Sequence, residues 1–304
     1  MASVGVIGLG IMGSAMAANL LKAGFQVIGY DLVAARRREF TRAGGRAALG
    51  SRDVRRRTDV IVCSLPSATA LLQVSAELAA GRRGAAIVIE TSTLPIAVKE
   101  TARMLLAAAG VTLLDCPLSG TGAQARVKDV IVYASGPRAA FRRIVPVLEG
   151  FSRGHYYAGA FGSGSKLKFV ANLLVAIHNV AAAEALVLAM KAGLDPALTL
   201  EAIADGAGSS RMLQVRGPMM VRGNYKNPTM KLKVWQKDMA IIADFAREVG
   251  APTPLFLATA PVYTAAVAMG REAEDTGAVC AVLEALAHHR RPSAKRLTAR
   301  RFRR

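Results

Sequence analysis

The feature that most constrains this chain of 304 residues is a glycine-rich turn near its N-terminus. A short apolar run at residues 4–7 leads into three glycines with GxGxxG spacing, and a helical pattern follows. In a strand-turn-helix unit the first glycine permits a tight turn, the second lets the backbone approach a pyrophosphate, and the third lets the helix pack on the strand. The helix N-terminus then presents N–H groups and the positive end of its dipole to the phosphates. The predicted phosphate-binding residues are Gly8, Leu9, Gly10, Ile11, Met12 and Gly13.

An acidic residue in the expected place strengthens this prediction. Asp31 ends the next apolar run, close to the spacing of about 20 residues at which dinucleotide-binding units carry an acid for the adenosine ribose. A carboxylate there repels a 2′-phosphate, so Asp31 favours NAD over NADP. Arg36, Arg37 and Arg38 follow closely, and they either form an exposed helix face or weaken that preference. The predicted cofactor is NAD, with NADP as the alternative.

Apolar runs alternate with helical patterns through the first half of the chain. The predicted strands are residues 4–8, 26–30, 60–64, 86–90 and 111–116, each separated from the next by enough chain for a crossover. This alternation predicts a parallel, doubly wound α/β sheet. Two further runs, at residues 130–135 and 155–158, flank a helical stretch and are expected to complete the same sheet.

The second half of the chain changes character after a Gly-Ser-Gly sequence at residues 162–164. Long helical patterns rich in alanine, leucine and methionine follow, and glycine and proline separate them. The predicted fold class is therefore α/β, with an N-terminal doubly wound Rossmann domain followed by an all-α C-terminal domain. We place the dinucleotide-binding domain at residues 1–161, a helical substrate and oligomerisation domain at 162–289, and a basic tail, expected to be disordered, at 290–304.

Composition restricts the class of protein further. With 52% hydrophobic and 20% charged residues, the chain has the composition of a soluble globular protein rather than a disordered one. The three cysteines are widely spaced and unpaired in sequence, so neither a disulfide framework nor a metal site is predicted. The N-terminus shows no signal-peptide pattern. The apolar stretch at residues 169–190 carries polar side chains, which favours a helix buried in protein over a membrane span. We expect a cytoplasmic protein with no membrane partner.

The formal net charge of +19 raises the question of a polyanionic partner. The tail at residues 290–304 contributes eight of these charges, and the rest include arginine runs at residues 36–38 and 55–57. We interpret these runs as solvated faces. Few aromatics accompany them and no nucleic-acid-binding module is recognisable, so nucleic acid is not the expected partner. Attraction of phosphorylated cofactors or acidic substrates remains an alternative.

Several motifs extend along nearly the whole chain. They include Asp-Cys-Pro-Leu-Ser-Gly at residues 115–120, Gly-Ser-Gly-Ser-Lys-Leu-Lys at 162–168, Leu-Pro at 65–66, Thr-Ser-Thr at 91–93, Glu-Ala-Leu at 184–186 and Lys-Asp at 237–238. With these motifs the chain resembles the β-hydroxyacid dehydrogenase family, which includes 3-hydroxyisobutyrate dehydrogenase and tartronate semialdehyde reductase and, more distantly, 6-phosphogluconate dehydrogenase. The resemblance implies an NAD(P)-dependent oxidoreductase that transfers a hydride between nicotinamide and a small hydroxy acid or its semialdehyde.

The resemblance also implies roles for residues outside the glycine turn. Four residues are implied to line the nicotinamide half of the cofactor pocket, the last from the helical domain: Leu65, Pro66, Thr93 and Lys237. A loop is implied to hold the substrate carboxylate through hydroxyl and backbone N–H donors, and it comprises Ser119, Gly120 and Thr121. A helical second domain in this family implies a homo-oligomer, either a dimer or a tetramer.

Lys168 matches the family's catalytic lysine, and Asn172 matches the asparagine one helical turn later. Residues four apart share a helix face, so both side chains can meet one ligand. Oxidising an alcohol needs a base for the hydroxyl proton, and the reverse reduction needs an acid at the same point. A lysine can serve if its surroundings lower its pKa from about 10.4. Lys166 is the rival base, but it lies on a different helix face.

The chain departs from the family pattern in places. Thr121 stands where members have a second glycine, Gln124 and Lys128 replace later glycines, and Ala171 replaces the first of two adjacent asparagines. Substrate identity is therefore less constrained than reaction type. Two alternatives stay open: an imine reductase of the same architecture, against which Lys168 argues because such enzymes tend to lack the lysine, and a non-catalytic protein associated with a cofactor or with nucleic acid.

Overall fold

The computed structural model describes residues 2–81 and 85–291. The chain divides into two compact units, the first through residue 171 and the second from residue 172. The sequence places its boundary near residue 162, where the long helix that crosses the observed division begins. The predicted basic tail lies outside the described residues from residue 292 onward.

The first unit contains a six-stranded parallel sheet with the order β3-β2-β1-β4-β5-β6. Its strands are β1 (Ser3–Ile7), β2 (Gln26–Tyr30), β3 (Arg46–Ala47), β4 (Val60–Cys63), β5 (Ala86–Glu90) and β6 (Val111–Asp115). Strand order reverses at β1, between β2 and β4, and the carboxyl ends of open parallel sheets bind ligands at such a switch point. The parallel, doubly wound fold predicted from the alternation of apolar runs is confirmed.

Seven helices and part of an eighth belong to this unit among its described residues. They are α1 (Ile11–Lys22), α2 (Ala34–Arg42), α3 (Ser51–Arg57), α4 (Ala68–Ala79), α5 (Ile96–Ala107), α6 (Gly122–Arg126), α7 (Arg138–Phe151) and the start of α8 (Ser163–Lys191). Apolar side chains from both faces of the sheet pack under these helices in two clusters, represented by Val6, Met16 and Leu148 in one and by Ile61, Val88 and Leu106 in the other. Burial on both faces explains why the strands are continuous apolar runs in the sequence.

The expectation that the two later runs complete the main sheet is wrong. They form a separate three-stranded sheet of β7 (Leu118–Ser119), β8 (Ile131–Ala134) and β9 (Gly154–Tyr157), in which β7 and β8 are antiparallel. A bridge between Asp115 and Ser135 connects the end of β6 to this second sheet. The physical reason is the short β7, which begins after only two residues beyond β6 and pairs with β8, so that β8 and β9 add to β7 rather than to β6.

The second unit is helical. It contains the remainder of α8, then α9 (Pro196–Ala204), α10 (Arg211–Arg222), α11 (Leu232–Glu248), α12 (Pro254–Ala268), a 3-10 turn (Thr276–Ala278) and α13 (Val279–Leu286). Its core includes Met220, Trp235, Ile242, Phe256 and Tyr263, all nearly fully buried. The predicted all-α second domain agrees with this architecture.

Helix α8 is, within the described part of the chain, the one helix long and apolar enough to cross a membrane by length and composition. One of its polar residues, Asn179, nevertheless has both amide hydrogens paired within the second unit. Asn179 is buried and donates to the hydroxyl of Tyr263 at 3.0 Å and to the carbonyl of Thr276 at 2.9 Å. Buried amides paired in this way are typical of a helix in a protein core.

One of the basic runs departs from the expected solvated face. Arg55 is fully buried on α3, and its Nη1 lies 3.5 Å from Oδ1 of Asp59. Arg56 and Arg57 pair instead with Asp53. A guanidinium carries a long apolar stem, so burial of Arg55 still stabilises the packing of α3.

Candidate active site

The glycine turn after β1 has the geometry that its sequence predicts. Gly8 has φ +89°, and a Cβ there would lie 2.1 Å from the carbonyl oxygen of Ser64. A Cβ on Gly13 would lie 1.8 Å from the carbonyl oxygen of Gly8. Gly8 is therefore required by the turn and Gly13 by the approach of α1 to the turn. A Cβ on Gly10 would meet nothing within 4 Å. That open side is the space a dinucleotide pyrophosphate needs.

The start of α1 provides donors for an anion. Gly10 is its N-cap, and among the described residues no side chain caps this helix end. N–H groups of a first helical turn without side-chain partners form an anion site together with the helix dipole. The open face at Gly10 and the uncapped α1 fit a dinucleotide at the switch point.

Asp31 lies at the carboxyl end of β2 and is buried. Its Oδ2 accepts the backbone N–H of Leu9 at 2.8 Å, and its Oδ1 accepts the N–H of Val33 at 2.8 Å. Arg36 approaches the same carboxylate, with Nη1 3.3 Å from Oδ2. Arg37 donates to the carbonyl of Asp31 and stacks over Tyr30 at 5.8 Å from the ring centroid. The acid therefore fixes the glycine turn, and two arginines stand beside it.

The next two strands end in the loops implied to line the nicotinamide. Leu65 is half-buried and donates its backbone N–H to Oγ of Ser92 at 2.8 Å, which joins the loop after β4 to the loop after β5. Pro66 is exposed and Thr93 is half-buried in these same loops. The structure thus brings Leu65, Pro66 and Thr93 to the sheet edge that also carries the glycine turn.

The implied substrate loop begins at the last residue of β7. Ser119 and Gly120 are half-buried, and Gly120 has φ +136°, with a Cβ position 2.8 Å from Val130. Thr121 caps α6 in a reciprocal capping box: its hydroxyl accepts the N–H of Gln124, and Gln124 Oε1 accepts the N–H of Thr121 at 3.0 Å. Both residues depart from the family pattern, so a cap replaces glycine flexibility here.

Helix α6 packs on α1 and brings the substrate loop to the glycine turn. A Cβ on Gly122 would lie 2.3 Å from the side chain of Ile11, and Asn19 donates to the carbonyl of Ala125 at 2.7 Å. The third family departure, Lys128, adopts φ +63°, a conformation that favours glycine. The backbone here keeps the shape of a glycine-containing loop although the side chains differ.

Lys168 and its rival differ in burial. Lys168 is 9% exposed, whereas Lys166 is exposed. Both lie in the first two turns of α8. Gly164 sits against the backbone of the second sheet, since a Cβ there would lie 2.2 Å from the carbonyl oxygen of Tyr133. The helix carrying Lys168 therefore begins in direct contact with the sheet of the first unit.

Asn172 and Lys237 belong to the second unit. Asn172 is buried and its Nδ2 donates to Oδ2 of Asp238 at 3.2 Å, while Lys237 Nζ lies 3.0 Å from Oδ1 of the same carboxylate. Asp238 thus connects the two predicted residues of this unit. Asn172 stands four residues after Lys168 on the continuous helix α8, as the sequence predicts.

Sequence reasoning assigned no role to four polar residues beneath this edge. Lys99, Glu90 and Asp115 are fully buried, with Lys99 Nζ 2.6 Å from Glu90 Oε2 and 2.8 Å from Asp115 Oδ1. Ser165 donates to Asp115 through its backbone N–H and its hydroxyl, both at 2.8 Å. The available signal was an acid at the end of each of two buried strands, because such residues need a buried partner.

Comparison with known proteins identifies the chain's relatives. Residues 3–159 match the family model described as the NAD binding domain of 6-phosphogluconate dehydrogenase. Residues 162–283 match the NAD-binding region of NADP-dependent 3-hydroxyisobutyrate dehydrogenase. The chain belongs to the β-hydroxyacid dehydrogenase family. It is an NAD(P)-dependent hydroxyacid dehydrogenase, and the resemblance seen in its motifs is confirmed.

Individual relatives of this dehydrogenase align over most of its length. L-threonate dehydrogenase of Cupriavidus necator is 34% identical over 281 residues, which cover 91% of this chain and 94% of the relative. 2-(Hydroxymethyl)glutarate dehydrogenase of Eubacterium barkeri is 32% identical over 287 residues, covering 92% and 94%. A crystal structure of 3-hydroxyisobutyrate dehydrogenase from Salmonella typhimurium has 31% identity and a TM-score of 0.83, covering 93% of this chain and 100% of that one.

Proposed function

We propose that this dehydrogenase interconverts the hydroxyl of a small hydroxy acid and the corresponding carbonyl, with Lys168 as the general acid/base. The observation that carries the proposal is the burial of Lys168 on a helix whose first turn is anchored to the sheet, while Lys166 remains exposed. A lysine held away from bulk water can exchange a proton with one substrate atom. Asn172, one turn later, is proposed to orient the same oxygen.

Different residues of the site are proposed to bind the cofactor, to bind the substrate and to transfer the proton. Bound nicotinamide supplies the hydride acceptor or donor. Gly8 to Gly13 and the start of α1 hold the pyrophosphate, and Leu65, Pro66 and Thr93 enclose the nicotinamide half. The Ser119 hydroxyl and the loop N–H groups of Gly120 and Thr121 hold the substrate carboxylate. The Thr121 N–H is donated to Gln124 here, so the Ser119 hydroxyl and Gly120 N–H carry most of that role. Lys168 removes the hydroxyl proton in oxidation and returns it in reduction.

The substrate is proposed to carry its hydroxyl on the carbon β to a carboxylate. L-threonate, 2-(hydroxymethyl)glutarate and 3-hydroxyisobutyrate, which name the relatives above, all share this arrangement. One carboxylate and one β-hydroxyl suit a site with an anion-holding loop and a single proton-transfer group. The capped Thr121 loop distinguishes this chain from members with consecutive glycines. The acid that this enzyme prefers is therefore to be determined by assay.

NAD is the proposed preferred cofactor, and NADP is the alternative. Asp31 supports NAD because its carboxylate stands at the end of β2, where a 2′-phosphate would meet negative charge. Arg36 partly offsets that charge and Arg37 lies beside it, which supports some use of NADP. Dissociation constants for both cofactors, measured by calorimetry, determine which one binds more tightly.

The enzyme is proposed to act as a cytoplasmic homo-oligomer, a dimer or tetramer. Large apolar side chains of the second unit are exposed, including Leu174, Leu188, Leu198, Leu255 and Leu286. Exposed apolar groups on this scale support a protein partner, and a second copy of the chain is the simplest one. Light scattering tests this, since a monomer at micromolar concentration contradicts it.

The experiment that tests the proposed function is turnover of a substrate panel. Purified protein is incubated with NAD⁺ or NADP⁺ and L-threonate, 3-hydroxyisobutyrate, 2-(hydroxymethyl)glutarate or glycerate, and nicotinamide absorbance is recorded. Turnover of at least one β-hydroxy acid is expected. A cyclic imine with NADPH is included, because reduction of the imine without turnover of any acid would replace this proposal with an imine reductase.

A further inference from the structure

Two acids stand side by side below the proposed active site. Glu90 and Asp115 are register partners at the last positions of the parallel strands β5 and β6, and both are fully buried. Lys99, on α5, inserts its ammonium between them and is itself fully buried. Burial acts to lower the pKa of Lys99, but the two carboxylates outweigh it and raise that pKa, so the lysine stays charged. Both carboxyl groups therefore contact the same ammonium.

The first turn of α8 is bonded to Asp115. Asp115 Oδ2 accepts the N–H of Ser165 at 2.8 Å, and its Oδ1 accepts the Ser165 hydroxyl at 2.8 Å. Ser135 donates its hydroxyl to Asp115 at 3.2 Å and accepts the N–H of Gly164 at 2.9 Å. A carboxylate at a helix N-terminus is stabilised by the free N–H groups and the dipole. Asp115 thus caps α8 from a strand 50 residues earlier.

The same network extends to the loops after β4 and β5. Glu90 Oε1 accepts the N–H of Ser92 at 2.9 Å, and Ser92 Oγ accepts the N–H of Leu65 at 2.8 Å. A continuous series of polar contacts, buried except at its Leu65 end, therefore connects Leu65 to Ser165. At one end lie the loops implied to enclose nicotinamide. At the other end is the helix turn that precedes Lys168 by three residues, and residues three apart share a helix face.

We propose that Asp115, held by Lys99 and Glu90, is a positioning residue that sets where Lys168 stands relative to the cofactor loops. The inference rests on the proposed role of Lys168. A proton-transfer group must be placed within a fraction of an ångström, and a misplacement of about 1 Å can cost about 100-fold in rate. Asp115 touches neither cofactor nor substrate in this account, so its effect on catalysis passes through Lys168.

The first test is a double-mutant cycle of Asp115→Asn and Lys168→Ala, with L-threonate and NAD⁺ or whichever acid of the panel turns over fastest. Asp115→Asn is expected to lower kcat about 10–100-fold while KM and the cofactor Kd change less than about threefold. In the Lys168→Ala background the same change is expected to cost less than about threefold, because the group it positions is gone. An equal cost in both backgrounds overturns the proposal.

The second test does not depend on turnover. Hydrogen exchange of the first-turn amides of α8 in the cofactor-free protein is expected to accelerate at least about tenfold in Asp115→Asn. Asp275→Asn is the matched control, since Asp275 is also fully buried and ion-paired, with Arg216 at 3.0 Å. It is expected to lower stability without changing exchange in the first turn of α8, and without changing kcat below its melting temperature. Unchanged exchange in Asp115→Asn contradicts the capping role.

Ser165→Ala covers the case in which Asp115→Asn does not fold. It removes one hydroxyl contact and leaves the backbone N–H of Ser165 on Asp115, so folding is expected to persist with kcat lowered about 3–10-fold. A wild-type kcat overturns the proposal. If Lys168→Ala loses kcat while the folded Asp115 and Ser165 variants do not, only this inference fails. If Lys168→Ala keeps full kcat, the proposed function fails first.

Discussion

The backbone N–H of Leu9 donates to Oδ2 of Asp31 at 2.8 Å, so the acid that ends β2 also holds the glycine turn that follows β1. The carboxylate accepts a second N–H from Val33 and is approached by Arg36. Its predicted contact with the cofactor ribose would add to these bonds. One side chain therefore links the shape of the phosphate site to the proposed choice between NAD and NADP.

Asp31→Asn is predicted to weaken cofactor binding and to narrow the preference for NAD. The amide keeps one acceptor oxygen for two N–H groups and loses the negative charge that disfavours a 2′-phosphate. We expect Kd for NAD⁺ to rise about 10-fold and Kd for NADP⁺ to change less. Asp53→Asn is the control, since Asp53 also accepts a backbone N–H, from Leu49 at 3.1 Å, outside the glycine turn. An equal rise in Kd for both cofactors would show that Asp31 does not determine the preference for NAD.

Two of the turn glycines, Gly13 and Gly10, are predicted to respond differently to alanine. Gly13→Ala places a Cβ against the backbone of Gly8 and is expected to destabilise the fold by several kcal/mol. Gly10→Ala meets open space, so its melting temperature should match the wild type while Kd for NAD⁺ rises at least about 10-fold. Gly50→Ala, also in open space, is the control and should change neither property. Unchanged affinity in Gly10→Ala would place the pyrophosphate elsewhere.

The three cysteines are predicted to be unreactive in the folded protein. Burial raises the pKa of Cys116 well above its ordinary value and the pKa of Cys280 to about 11, and it also raises that of Cys63. All three are buried, so thiolate is scarce at pH 8 and reagents lack access. Titration with a disulfide reagent should detect no rapidly reacting thiol in the native protein and three in the denatured protein. A fast native thiol, above all Cys116, would contradict this.

The stability of the second unit is predicted to depend on Asp275 in acid. Burial acts to raise the pKa of Asp275, but Arg216 and hydrogen bonds from Thr229 and Gly277 outweigh it and lower that pKa below its ordinary 3.8. The contribution to stability is therefore present above about pH 4 and is lost as pH falls through the lowered pKa. At pH 7 the free energy of unfolding of Asp275→Asn should lie about 3–5 kcal/mol below that of the wild type, and this difference should shrink as the pH falls below about 4. A difference in the free energy of unfolding that stays constant with pH would show that ionisation of Asp275 does not contribute to stability.

Much of the first unit could be predicted because its strands are buried on both faces and appear as continuous apolar runs. The run at residues 26–30 matches β2 residue for residue. The two-residue strands β3 and β7 carry too few side chains to make a pattern. Assigning β8 and β9 to the main sheet failed because an apolar run predicts that a strand is buried and not which neighbour it pairs with.

Part of the candidate site could likewise be predicted from local sequence, and part could not. The glycine turn and Asp31 are local motifs with known spacing, so the sequence alone locates them. The contact between Asp115 and Ser165 joins residues 50 positions apart, and Lys99 lies in a helix where a lysine would ordinarily face solvent. Interactions of that kind depend on how the sheet places its strand ends, which no local pattern contains.

The acid/base role of Lys168 is tested most directly by measuring kcat for Lys168→Ala beside Lys166→Ala, with the acid that the panel identifies. Lys168→Ala is expected to lower kcat at least about 100-fold, because a positioned acid/base contributes about 10²–10⁴-fold. Cofactor Kd should stay near wild type, and Lys166→Ala should keep its kcat within about threefold. A Lys168→Ala protein that turns over at the wild-type rate would contradict the acid/base role of Lys168.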